Sequence, residues 1–387
     1  MEEVDGMELL MVDSDDRLAE LSEQWQHSES LALDTEFMRT NTFYPKLGLL
    51  QVGDGQRCTL IDPLGINEWQ PFLDLLQNPD IEIVVHSAGE DLNLLLTSFG
   101  CLPARLFDTQ MAAAFLGMGF SLSYQALALE LMDKEIDKGE TRSDWLQRPL
   151  SDAQLRYAAL DVRYLLQMRN MLAEELATTS KQIWFEEDCR QLLSTAREFE
   201  SEDNWAMLYT GISNAWRLNA RALAMLQRLC IWREHEARKK NRPRNWIAKD
   251  AELLILAHEA SRWPGAELEK LLALKDIQPG LLKHRGRKLL EVMFAEEQAS
   301  DEDNSLQAAP APLSPEYRNL LKRLQQHTRN RAEALDMAPE LLARKRQLLA
   351  MLDTGSTPPR LHWQGDMAGW RREQLEEGFS KVLADES

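Results

Sequence analysis

The sequence predicts an α/β domain with a mixed sheet, followed by two small all-α domains. Three observations carry this. Strand-like and helix-like periodicities alternate through the front of the chain, and two of the strand-like runs flank a hairpin turn. Beyond about residue 205, strand patterns cease. These features divide the chain into an α/β domain at 1–204, a helical domain at 205–297, a flexible linker at 298–313 and a second helical domain at 314–387.

ELLMV (8–12) reads as a strand, and DDRLAELSEQWQ continues as a helix. LALDTEF (31–37), LGLLQVG (47–53) and CTLIDP (58–63) are further strands, the last two joined by GDGQ, whose glycines and aspartate suit a hairpin. A helix over WQPFLDLLQ leads to the strand EIVVHS (82–87) and to the helix EDLNLLLTSFG, closed by Gly100. From Asp108 onward the pattern is helical, with turns at GMG (117–119) and RPLSD (148–152). A hairpin among helix-connected strands gives a mixed sheet. The two helical blocks each open with a basic amphipathic helix. The stretch between them, EEQASDEDNSLQAAPAPLSPE, has little to bury, which predicts a solvated tether.

No apolar run approaches the length of a membrane span, and the opening MEEVDGMELL is acidic where a secretory or transit signal is basic. Four scattered cysteines without a CxxC pair predict reduced thiols rather than zinc or disulfides. The expectation is a cytoplasmic monomer with no membrane contact. A net charge of −19 speaks against nucleic acid, but the average hides an asymmetry. Residues 1–204 net −23, whereas 205–297 net +6, and 217–249 alone hold ten basic residues against two acidic ones. Basic helical modules on a tether would hold a polyanion beside an acidic domain that repels it.

Asp34 and Glu36 alternate in LALDTEF, so both side chains share one strand face, with Cα atoms roughly 6–7 Å apart. Like charges that close in an apolar strand call for a countercharge. Asp91 stands at the start of the helix after EIVVHS. Asp161 and Tyr157, four residues apart in QLRYAALDVRYLLQM, share one helix face. Oxygen-only donors suit hard cations such as Mg²⁺ or Mn²⁺, and a pair about 3.5–4 Å apart serves in-line attack on phosphodiesters. Tyr157, with a reference pKa of about 10, is a poor base near neutrality and better suited to orienting a water.

LALDTEFMRTNTFYPKLGLLQVG, VVHSAGEDLNLL and DWLQRPLSDAQLRYAALDVRYL together closely resemble the three motifs of DEDD-type 3′→5′ exonucleases, specifically bacterial ribonuclease D. Tyrosine four residues before the last aspartate matches the tyrosine subclass, and the helical blocks resemble two helicase-and-RNase-D C-terminal (HRDC) domains. The resemblance implies a ribonuclease-H-like fold for the first domain. It implies two divalent ions on Asp34, Glu36, Asp91 and Asp161, and a water positioned by Tyr157. It further implies release of nucleoside 5′-monophosphates from the 3′ ends of tRNA precursors and other structured RNAs. A 3′→5′ DNA exonuclease and a catalytically decayed RNA-binding scaffold are the alternatives; the intact carboxylate set speaks against decay.

Other residues admit two readings each. His86 either touches the site or is a hydrogen-bonded structural histidine. Trp145 and Arg148 either stack on and clamp substrate or anchor a loop. Phe37 and Met38, just after the DTE triplet, are candidates to wedge the terminal base, with core packing the rival for Phe37. In WREHEARKKNRPRNWIAKD (232–250), Lys239, Lys240 and Arg242 suit phosphate contacts, while Trp246 is expected in the helical core. HRGRK (284–288) suggests a phosphate-gripping helix start.

Overall fold

The computed structural model describes residues 2–137, 139–140, 143–295, 306–353 and 359–384. The chain forms two compact units. The first comprises Met1–Met38, Lys46–Ala196 and Leu313–Ser387; the second comprises Arg39–Pro45 and Arg197–Pro312.

The first unit is built on strands β1 (Glu2–Val4), β2 (Met7–Val12), β3 (Ser30–Met38), β4 (Lys46–Gly53), β5 (Arg57–Ile61), β6 (Glu82–Val85) and β7 (Arg105–Asp108). They form one sheet in the order β1-β2-β5-β4-β3-β6-β7. Its β2/β5, β3/β6 and β6/β7 pairs are parallel and its other pairs antiparallel, so the mixed sheet expected from the sequence is present. β1 and β7, three and four residues long, are not among the strands expected from the sequence. The helices of this part are α1 (Asp15–Trp25), α2 (Gln70–Leu76), α3 (Gly89–Phe99), α4 (Thr109–Phe115), α5 (Tyr124–Met132), α6 (Asp152–Arg163), α7 (Leu165–Ala177) and α8 (Gln182–Glu198).

Strand β3 lies inside the sheet, paired on both edges, and its Leu31, Ala32 and Leu33 are buried. This apolar grip fixes the segment that carries Asp34 and Glu36. Between Glu36 and Phe37 the register against β4 shifts: Glu36 opposes Leu49 and Phe37 opposes Leu47, leaving Gly48 unopposed. Such a bulge bends a strand and re-aims its side chains. Helix α6 begins at a reciprocal capping box, in which Ser151 Oγ accepts from Gln154 N–H (3.2 Å) and Gln154 Oε1 accepts from Ser151 N–H (3.0 Å).

The second unit holds α9 (Glu202–Trp205), α10 (Ala220–Lys240), α11 (Arg244–Ile247), α12 (Asp250–Ala260), α13 (Leu268–Leu272) and α14 (Pro279–Phe294). Leu226, Leu229, Trp232, Leu253, Leu256 and Leu289 belong to a core of its own. Of the stretch expected to be a flexible linker, 298–305 lie outside the described residues. The remainder up to Pro312 packs within this unit: Ala309 is buried in its core, and Tyr209 donates its hydroxyl to Gln307 O (2.7 Å). A few apolar and backbone anchors suffice to hold a segment that composition alone marks as solvated.

The last helical block comprises α15 (Pro315–Ala334), α16 (Pro339–Leu342), α17 (Lys345–Met351) and α18 (Gly369–Ala384), with a short β8 (Leu352–Asp353)–β9 (Arg360–Leu361) ribbon. The sequence reading sets this block apart as a tethered domain, whereas its apolar residues join the core of the sheet-containing unit. Trp370 stacks on Trp184 with ring centres 5.0 Å apart and packs against Phe115 at 5.6 Å. Arg371 grips Asp188 through two bonds of 2.7 and 2.5 Å, a buried bidentate pair. Among the described residues, no helix is long and apolar enough to cross a membrane.

Candidate active site

Three of the predicted carboxylates converge. Oxygens of Asp34 and Glu36 from β3 and of Asp161 from α6 all lie within 4.8 Å of one another. Asp91, in the first turn of α3, stands outside that tight group but close enough to act electrostatically on Asp34 and Glu36. The Thr35 hydroxyl donates to its Oδ1, fixing the buried carboxylate.

Withdrawal from water and mutual repulsion make this cluster reluctant to hold four negative charges. Burial, then Asp161 and Asp91, push Glu36 up to about 9. Burial, then Asp91, Asp161 and Glu36, drive Asp34 well above the usual carboxylate range. Asp91 and Asp161 rise to about 7, chiefly through burial, although the hydroxyls of Thr35 and Tyr157 respectively work the other way. Burial and the approach of Asp91 and Asp161 weigh more in these shifts than the Asp34–Glu36 pair itself. A cluster of carboxylate oxygens that repel one another fits a hard divalent cation, whose charge would relieve the repulsion.

Tyr157 projects from α6 one turn before Asp161, and its hydroxyl lies near enough to favour that carboxylate's charged form. Burial, followed by the charges of Asp161, Glu36 and Asp34, pushes its phenol above the ordinary tyrosine value. It therefore keeps its proton and serves as a donor rather than a base.

The remaining sequence candidates are not members of the carboxylate cluster. Both ring nitrogens of His86 are engaged, Nδ1 with Thr109 Oγ1 (2.9 Å) and Nε2 with Leu122 O (3.0 Å), so this is the structural histidine. Trp145 is 1% exposed and cannot stack on a substrate base. Arg148 spends its donors on Asp62 and on the carbonyls of Trp145, Gln147 and Gly48, leaving no phosphate clamp. Met38 is partly buried and packs against the core of the first unit; Phe37 is half-buried.

In the second unit Lys239 and Arg242 are exposed, and Lys240 pairs with Glu236 (2.8 Å). Trp246 is not in the core as expected. It is 61% exposed, with the Arg242 guanidinium 5.6 Å from its ring centre, because Ile247 and Ala248 take the buried positions of this turn. HRGRK is not a helix start either: it lies inside α14, where Gly286 is buried and faces Leu271.

One residue beside the site was missed. Gln51 of β4 opposes Asp34 in the sheet, is wholly buried, and has no hydrogen-bond partner for either end of its amide among the described residues. The only signal in the sequence is an amide within the apolar run LGLLQVG.

The profile of the family described as 3′-5′ exonuclease matches residues 9–177, and that of the HRDC domain matches 222–293. Ribonuclease D of Pseudomonas paraeruginosa is 40% identical over 386 residues, covering 98% of this chain and 99% of the relative. The chain belongs to the ribonuclease D family. The crystal structure of Escherichia coli RNase D, described as an exoribonuclease involved in structured RNA processing, superposes with a TM-score of 0.83. That match has 34% identity and spans 98% of this chain and 99% of the other. The catalytic core of RRP6 from Trypanosoma brucei shares the fold (TM-score 0.53, 19% identity, 76% of this chain and 81% of that one). The exonuclease match spans every member of the carboxylate cluster and Tyr157.

Proposed function

We propose that this member of the ribonuclease D family shortens RNA from its 3′ end by two-metal-ion hydrolysis, releasing nucleoside 5′-monophosphates from structured RNAs such as tRNA precursors. The observation that carries the proposal is the convergence of Asp34, Glu36 and Asp161 with Asp91 beside them, four carboxylates that repel one another without a cation. In this reading Asp34, Glu36, Asp91 and Asp161 hold two Mg²⁺ or Mn²⁺ ions. Bound there, the ions supply the positive charge that activates a water and stabilises the leaving 3′ oxygen. Tyr157 retains its proton and orients the attacking water. Thr35 donates to Asp91 Oδ1 and so holds that carboxylate in place.

The exposed Arg242–Trp246 pair with Lys239 supports RNA contact by the helical unit, since cations neutralise phosphates and an indole face stacks on bases. The same reading has the chain act as a monomer in the cytoplasm, and light scattering on a sizing column tests the oligomeric state. The decisive assay uses 3′-labelled RNA and a matching DNA, each with Mg²⁺, Mn²⁺ or chelator. Mononucleotide release from RNA that stops with chelator and with Asp34→Ala is the expected result. Preference for DNA, or binding without release, overturns the proposal.

A further inference from the structure

The bulge in β4 begins a line of contacts that ends on Tyr157. Gly48, unopposed in the ladder, offers its carbonyl to Arg148 Nη2 (2.7 Å). Arg148 also binds Asp62 through two bonds (2.5 and 2.7 Å) and the carbonyls of Trp145 (2.9 Å) and Gln147 (2.8 Å), so four groups pin one guanidinium. A Cβ on Gly48 would stand 2.7 Å from Trp145 Cβ and 2.8 Å from its carbonyl oxygen. Only glycine lets the two segments approach so closely. Trp145, thus seated and buried, places its ring centre 6.1 Å from that of Tyr157, tilted by 38°. Gly139 meets the same ring: a Cβ there would lie 2.7 Å from Tyr157 Cδ2 and 3.4 Å from Cγ.

We infer that Gly139, Trp145 and Arg148 are positioning residues that hold the Tyr157 ring, and hence its hydroxyl, in register with Asp161. The inference rests on the role given to Tyr157 above. Arg148 locks the segment onto the Gly48 bulge, Trp145 fills one side of the ring's surroundings, and Gly139 leaves room that any side chain would take. A phenol hydroxyl sits at the far end of a two-torsion lever, so a small displacement near Cδ2 becomes a larger one at the oxygen. A misplacement of about 1 Å in a positioning group costs roughly 10²-fold in rate. The segment that looked from the sequence like a substrate clamp acts on the site from behind.

The test is Gly139→Ala, with Trp145→Phe as the second variant, assayed on 3′-labelled RNA in the full chain. Turnover at saturating RNA should fall about tenfold or more, with KM changed by less than about twofold and the melting temperature preserved. In a Tyr157→Phe background, Gly139→Ala should cost nothing further, because both changes act through one hydroxyl. With 3-fluorotyrosine incorporated, the ¹⁹F resonance that disappears in Tyr157→Phe should shift in Gly139→Ala, in chelator and without substrate. Unchanged turnover in both variants, an effect that multiplies with Tyr157→Phe, or a rise in KM alone overturns the inference. An active enzyme in which Tyr157→Phe itself has no effect instead overturns the role assigned to Tyr157.

Discussion

Glu36 and Glu234 are both carboxylates withdrawn from water, and their fates are opposite. Glu234, in α10, is fully buried, and burial alone would push it up. Bonds from Arg244 (2.7 Å to Oε2, with a second to Oε1) and Arg238 (2.5 Å) hold it below the usual carboxylate range. Glu36 has carboxylates for neighbours and is driven up to about 9. A buried charge that serves the fold comes with its cations in the same chain. One that serves a reaction is left short of them, so that an external cation completes it. Asp188 with Arg371 follows the first pattern; Asp34, Asp91 and Asp161 follow the second.

Neutralising one member of each group gives the sharpest contrast. Asp34→Asn should lower RNA turnover by at least about 10³-fold while raising the thermal stability of the metal-free protein, because an amide escapes the cost of burying an ionisable carboxyl among others. A fall in metal-free stability would break the contrast. Glu234→Gln should do the reverse, costing about 3 kcal/mol in chemical denaturation by leaving two arginines with a weakened partner, with the carboxylate cluster untouched.

The pH dependence follows from the same shifts. Glu36 binds its proton more tightly in the folded chain, about 9 against an ordinary 4.5. Its contribution is therefore fully present below about 4.5 and is lost as pH rises through about 9. Denaturation in chelator across that window should show stability falling with pH, and saturating Mn²⁺ should flatten the slope. A metal-independent slope would remove the cluster from the explanation. The smallest effect is expected at the surface. Trp246→Ala should weaken binding of single-stranded RNA in chelator by about tenfold at fixed salt and leave stability unchanged.

Much of the site was legible because it is written in local patterns. Alternation put Asp34 and Glu36 on one face of a strand, and helical spacing put Tyr157 one turn from Asp161. Leu31 and Leu33 announced that the strand would be buried. Illegible were properties that depend on which segments meet. Trp145 and Arg148 have the composition of a substrate clamp, and only their contacts with Gly48, Asp62 and Tyr157 give them a supporting role. Trp246 and Trp232 lie in one stretch, yet the indole expected inside is the exposed one. The helical turn that follows Pro243 turns Ile247 inward instead.

The final helical block shows the same limit at larger scale. A Pro- and acid-rich stretch precedes it, which composition reads as a tether. Nothing local reveals that Trp370 will find Trp184, or Arg371 find Asp188, 183 residues earlier in the chain. By itself, the sequence determined the strand and helix periods, the acidic positions within them and the family to which those motifs point, because each is a matter of spacing along the chain. Only the tertiary structure decided which buried acids would have an arginine and which would face one another. It also decided which aromatic residues would be buried, and with which core the last helices would fold. Those outcomes depend on contacts between segments far apart in sequence, where burial and countercharge are settled together.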